Sequence, residues 1–456
     1  MGEIITSFKP TCNSSISVQL SSQRTTSDGG ALLLREALDS SGVTNVLEDQ
    51  LLDPRDPTRV QHSLVSQVRT IVLQRAMGWN DLTDTAFLQN DPMWRLACSD
   101  SRGTTPLDQQ RPSQPTLSRV IDLLGTEENR EALHEGLLRL AIWRLNSLKM
   151  PKDLTLDVDG LPIEVFGQQQ GSRHNTYVGY RHYSPLIASI AETGDMVGGL
   201  LREGNAGCAK EADTWIPHLV KQIKDSTGVQ AKVRFDAGFT GDSTLKALEE
   251  EGIEYVGRIK SNTVLQRLAE PYLRRPPGRP PHYLREWCHD LRYQAKNWTH
   301  ERRIILVVLE RPDELFLDYF FLVTNLDEHL WTPRKLLALY RKRGKAEAHM
   351  GEVKSTLNVH LSSTCRGRST LQQVMARNEV SLLLSLYAYQ VMHGLRCLME
   401  QQTRTGWSIS RLREQVLKVA ATLTLHARRI TVHLSQTADK WWPTLLRGLP
   451  RITARA

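Results

Sequence analysis

The chain has 456 residues, 40% of them hydrophobic and 24% charged, enough to bury a sizeable core and to form about two to four domains. Its 58 basic and 50 acidic residues leave a net charge of +8 and a pI near 9.2, a modest lean towards polyanionic partners. Six scattered cysteines without a Cys/His cluster, no signal-peptide pattern and no apolar run of bilayer length argue against a zinc site, a disulfide scaffold and a membrane protein, and a cytoplasmic location is expected.

Residues 1–28 are rich in Ser and Thr and read as a poorly ordered arm with one short strand. Helical patterns follow. ALLLREALDSSG stops at Gly42, and beyond Thr58 the apolar Val60, Leu64, Val65, Val68, Ile71 and Val72 recur at helical spacing. Asp81, Asp84 and Asp91 lie in a turn-rich link without a metal-loop pattern, so they read as caps and turns. SQPTLSRVIDLLG starts a capped helix at Ser113. With the helix before it, it makes a candidate helix-turn-helix presenting Arg119 to DNA. A third helix completes a mostly helical unit over residues 1–150, expected to bind DNA.

After Pro151 the period changes. In DLTLDVDG, Leu154, Leu156 and Val158 share one face of a strand while Thr155, Asp157 and Asp159 share the other. A turn, a return strand, a long polar loop and LIASIAETGDMVGGLLREG carry the sheet on. A helix from Ala212 to Thr227 precedes AKVRF, which runs into Asp236, where Gly238 and Gly241 let the chain turn before the next helix. A carboxylate at the carboxyl end of a buried strand is a usual place for a functional group in an α/β sheet, so an α/β fold is expected.

AEPYLRRPPGRPPHY breaks that rhythm and reads as a linker or extended arm, with Arg279 a candidate minor-groove contact. REWCHDLRYQAKNW, RRIILVVLE and LDYFFLVTNL then read as three antiparallel strands. The densest feature is Trp331 to Leu357, which reads as one long basic helix. At about 100° per residue, Tyr340, Arg343, Glu347 and Lys354 fall at roughly 0°, −60°, −20° and −40°, on one narrow face. A carboxylate amid cations suits a metal ligand beside a phosphate backbone, with an Arg fork, a Lys and a Tyr hydroxyl placed to hold phosphate oxygens. A long apolar helix from Leu371 to Leu398 must be buried, and residues 401–456 read as a largely helical region with one short strand at HARRITVHL and a Trp-rich close.

These pieces resemble a DDE transposase of a bacterial insertion sequence, in the group with the Tyr-x2-Arg-x3-Glu-x6-Lys signature. Four places carry the resemblance: LDVDG with GQQQG, LLREGNA, VRFDAGFT and YRKRGKAEAHMGEVK. The resemblance implies a ribonuclease-H-like catalytic core over residues 151–262 and 327–400, interrupted by a β-rich insertion over residues 263–326. It implies Asp159, Asp236 and Glu347 as catalytic metal ligands; Asp157, on the same strand face, competes with Asp159, which is preferred because a small residue and a turn follow it. Tyr340, Arg343 and Lys354 are implied as DNA-binding, and Trp298, ahead of Trp287, as the insertion residue that holds a displaced base, set against core packing. The implied cofactor is Mg2+, with Mn2+ as a substitute. The implied partners are double-stranded DNA, both element terminal repeats and target, and a second copy of the chain on paired ends, in a nucleoid-associated bacterial protein. A nuclease without strand transfer and a non-catalytic DNA-binding protein are the alternatives.

Overall fold

The computed structural model describes residues 7–8, 10–13, 15–19, 23–147, 151–176, 178–278, 282–312, 314–356, 359, 361 and 369–448. At its centre lies a mixed sheet of eight strands. These are β1 (Leu154–Gly160), β2 (Leu186–Ile190), β3 (Asp195–Leu200), β4 (Ala231–Phe235), β5 (Tyr255–Ile259), β6 (Arg285–Tyr293), β7 (Arg302–Glu310) and β8 (Asp318–Thr324). Their order across the sheet is β6-β7-β8-β5-β4-β1-β2-β3. Strand β4 runs parallel to both β1 and β5, and the other neighbours are antiparallel.

Helices α1 (Leu64–Met77), α2 (Gln114–Leu123) and α3 (Glu127–Ser147) belong to the first 150 residues. Helices α4 (Ala212–Thr227) and α5 (Asp242–Glu250) connect core strands, and α6 (Pro333–Arg341), α7 (Gly344–Thr356) and α8 (Leu371–Thr403) follow the sheet. Period-two alternation gives the sheet two different faces. Leu154, Leu156, Val158, Val233, Phe235 and Tyr255 share one core with Ile216, Leu219 and Ile223 of α4 and Leu245 and Leu248 of α5. On the other face Val256, Ile305, Val307 and Leu322 pack with Leu336 and Leu337 of α6.

Four expectations from the sequence are corrected. The basic stretch is two helices, not one, because its halves serve different cores: Leu336 and Leu337 pack on the sheet, whereas Met350 and Val353 join the helical core. Residues 263–326 begin with the helix Thr263–Ala269, and their strands do not stand apart; β8 pairs with β5 and extends the main sheet. Helix α2 is separated from the helix before it, Pro92–Cys98, by residues 99–113, too long for a helix-turn-helix; the tight turn is Leu124, Gly125 and Thr126, on its other side. Residues 401–456 hold a β-hairpin, β9 (Ala421–His426) and β10 (Arg429–Leu434), to which the strand Arg24–Thr26 adds. Asp91 caps its helix by accepting from the amides of Met93 and Trp94, and Asp81 accepts from that of Thr83.

Helix α8 starts in a capping box of Thr370 and Gln373 and packs against α1, α3 and β3. Several of its buried polar side chains bond to groups on other elements. Asp195 of β3 accepts from Arg144 of α3 at 2.6 Å and from Gln390 of α8. His393 lies between the Thr193 carbonyl at 2.7 Å and the Arg396 guanidinium at 2.5 Å, and Arg396 also reaches Glu352 of α7. No helix among the described residues is long and apolar enough to cross a membrane.

Burial, and then the charges of Arg144 and Arg396, hold the His393 imidazole well below its usual 6.5. The unfolded chain therefore takes up a proton below about pH 6.5 that the folded chain refuses, and stability falls as the pH drops from there, by up to about 1.4 kcal/mol per pH unit for one such group. Denaturant unfolding at pH 7 and pH 5 is expected to give a smaller loss for His393→Gln than for the wild type. An equal loss would mean that other groups set the pH response.

Candidate active site

The first two carboxylates are brought together by strand register. Along the parallel pair β1 and β4, Leu156 stands beside Val233, Asp157 beside Arg234 and Val158 beside Phe235. The next residue on each path is an aspartate, Asp159 and Asp236, and neighbouring strands lie about 4.8 Å apart. By alternation both project from the face opposite the apolar Val158 and Phe235. Asp159 Oδ1 accepts from the Gly160 amide at 2.9 Å, and Asp236 Oδ1 from the Gly238 amide at 2.8 Å. The chain can turn this tightly because Gly238 has no Cβ; one would stand 2.7 Å from Cys208 Sγ.

Asp157 and Asp159 share a strand face but not an environment. Asp157 is 1% exposed and accepts from Nε and Nη2 of Arg234, each at 2.6 Å, while Arg234 Nη1 donates to the Leu339 carbonyl of α6 at 2.5 Å. Asp159 is partly open to solvent, and its carboxyl is pushed up to about 6, first by burial and also by the negative charge of Asp236, against the pull of Arg343. One aspartate is locked inside the sheet; the other stands near the carboxyl end of the same strand, partly open to solvent.

Glu347 arrives on α7. Between α6 and α7 the amides of Lys342 and Arg343 bond to carbonyls three residues back, and this tight turn aims Arg343 inwards. Its Nη2 donates to Asp159 Oδ2 at 2.5 Å, and its Nη1 donates to Glu347 Oε1. The guanidinium is buried; the Glu347 carboxylate is 58% exposed. Beside them opens a cleft of about 500 Å³ bordered by Asp236, Arg258, Lys260, Phe320, Tyr340, Arg343 and Glu347. Burial raises the Tyr340 hydroxyl above its usual range, so it stays protonated. Lys354 leaves this cluster and donates to the Tyr180 hydroxyl at 2.7 Å, its ammonium 5.2 Å from the centre of that ring.

Three carboxylates without sulfur or imidazole are the donor set of a hard divalent cation, and a half-buried Asp159 crowded by Asp236 gains from one. The chemistry fits. Two of the three, Asp159 and Glu347, are held on the Arg343 guanidinium, and among the described residues no three His, Cys, Asp or Glu converge as a metal cluster.

The other residues singled out in the sequence lie elsewhere. Arg119 is exposed on α2. Trp298 is 5% exposed, packs edge-on against Tyr293 and donates its indole N–H to the Thr240 carbonyl at 3.2 Å, so its ring is a core group and presents no free face for a base. Arg279 lies outside the described residues. Sequence reasoning did not find Arg234, Tyr180, Arg258 or Lys260. For Arg234 the signal existed: it precedes Asp236 by the same two positions that separate Asp157 from Asp159.

A family model described as Transposase DDE domain group 1 matches residues 8–448. No curated protein matches the chain. Among solved structures, the cryo-EM structure of a piggyBac transposase synaptic complex with hairpin DNA is similar, at 12% identity and a TM-score of 0.40, over 86% of this chain and 81% of that one.

Proposed function

The chain belongs to the transposase DDE domain group 1 family, and from that membership we propose that it binds the inverted terminal repeats of its mobile element, cleaves the DNA ends and transfers the 3′-hydroxyl strands into target DNA. The observation that carries this reading is the cluster in which Arg343 joins Asp159 to Glu347 while Asp236 stands on the adjoining strand. A hairpin opening with its carboxylates on one face supports taking β1 to β5 and the helices after β8 as a ribonuclease-H-like core. Residues 1–150, with Arg119, take the part of the DNA-binding domain.

Asp159, Asp236 and Glu347 would hold magnesium, or manganese in its place. Metal held there would supply activation of the entering oxygen of a phosphodiester displacement and stabilisation of the leaving one. The protein's own groups bind and orient. Arg343 offers a planar fork, and Lys354 a point charge, to phosphate oxygens. Tyr340, kept protonated by burial, donates a hydrogen bond to a phosphate or water and is poorly suited to attack phosphorus itself. Two copies of the chain pair the two element ends.

The test is purified protein with magnesium, end-sequence DNA and a target duplex. Cut ends together with joined products are expected. Cut ends that never join would replace this reading with a nuclease, and DNA binding that persists with no cut product under any divalent metal would replace it with a DNA-binding protein of transposase origin.

A further inference from the structure

The hairpin of β9 and β10 takes no part in the site above. Its turn, Ala427 and Arg428, joins the pair His426 and Arg429, and both turn residues have positive φ, 47° and 65°. That is the type I′ geometry that asparagine and glycine adopt at little cost. Here an alanine and an arginine hold it, against the steric preference of any side chain with a Cβ. A strained arginine at an exposed tip calls for a reason in what its side chain does.

Opposed residues of an antiparallel pair share a face. One face of the hairpin is apolar: Ala421 and Leu423 are buried, and Ile430, Val432 and Leu434 pack on the helical core. The other face pairs Thr422 with His433, Thr424 with Thr431 and His426 with Arg429, and the added strand contributes Thr25 beside Thr422. These outward groups are hydroxyls, imidazoles and a guanidinium. No carboxylate occurs between Glu414 and Asp439. The ribbon thus presents hydrogen-bond donors and positive charge without an acidic group among them.

The chain enters this ribbon from the short helical segment Arg413–Leu417, which is anchored to two helices. Arg413 donates to the carbonyl of Thr356, the last residue of α7, at 3.0 Å, and to that of Ala76 in α1 at 2.8 Å. The hairpin and the helix that carries Glu347 therefore hang on one frame.

We propose that the outer face and tip of the β9–β10 hairpin, with Arg428 and Arg429 at its end, are a binding surface for the phosphate backbone of duplex DNA. The inference rests on the transposase reading for the identity of the polyanion. Phosphate oxygens accept from Thr, His and Arg donors without requiring a base sequence, so the contact holds DNA in place without reading it.

The experiment uses the full chain and a labelled duplex, without divalent metal, and follows fluorescence anisotropy as salt is raised. Arg428→Gly combined with Arg429→Thr is expected to flatten the slope of log affinity against log salt by about 1.8, since each lost phosphate contact removes about 0.9. Thr431→Glu, which sets a carboxylate on the outer face, is expected to weaken binding on the order of tenfold at low salt. Arg428→Gly alone is expected to melt at the same temperature as the wild type or higher while binding DNA less well, a split that a merely structural tip would not give. Unchanged affinity and slope in all three variants would overturn the proposal, as would a change of oligomeric state with DNA binding intact. If the wild type never cleaves yet the double variant loses DNA affinity, the hairpin assignment stands and the transposase reading falls.

Discussion

Glu347→Gln is expected to lower end cleavage by about 10³-fold or more, because at the proposed two-ion centre losing a ligand charge removes several kcal/mol of transition-state stabilisation and each 1.36 kcal/mol is tenfold in rate. Stability is expected to change little. Glu347 is 58% exposed, and its pairing with Arg343 four residues earlier is a solvent-screened contact worth about 0.5 kcal/mol or less. DNA binding measured without metal should stay within a few-fold of the wild type. Single-turnover cleavage beside a gel-shift titration separates the two effects, and equal cleavage by both proteins would remove Glu347 from the active site. Asp236→Asn is expected to behave in the same way.

Arg234→Met is expected to cost about 3–5 kcal/mol of folding stability, the penalty for leaving a buried charge without its partner. Here the stranded group is Asp157, 1% exposed and otherwise held by two hydrogen bonds from that guanidinium. Replacing both residues together, Asp157→Leu with Arg234→Met, should recover most of the loss, since a packed apolar pair is often as stable as a buried ion pair. Chemical denaturation of the two variants reads this directly. The comparison also separates two aspartates that the sequence leaves in competition. Asp157→Asn should lose stability, and Asp159→Asn should lose cleavage while keeping stability. The opposite pattern would make Asp157 the first metal ligand.

The alternation of DLTLDVDG and the charges around Glu347 mark the residues that the fold gathers, because strand period and charge are local properties. What escaped was set by distant partners. Tyr340 to Lys354 keeps a regular charge spacing through the break at Lys342 and Arg343, since the break follows from Leu336 packing on the sheet and Met350 on the helical core, which no local pattern encodes. Trp298 has the composition of a base-stacking group. Its burial depends on Tyr293 and on the Thr240 carbonyl from a different part of the chain. Of the hairpin of β9 and β10 only the second strand is legible; its partner reads as helix for a local reason, since Ala427 and Arg428 replace the asparagine–glycine pair that advertises such a turn.

The site's dependence on pieces far apart in the chain has a consequence for the order of synthesis. On a ribosome adding about 5–20 residues per second, Glu347 emerges roughly 5 to 20 s after Asp236. Even then its helix lacks a brace, because Arg396, which holds Glu352 of α7, comes later still on α8. A chain that ends before Arg396 thus carries both aspartates without the contact that braces the helix of Glu347.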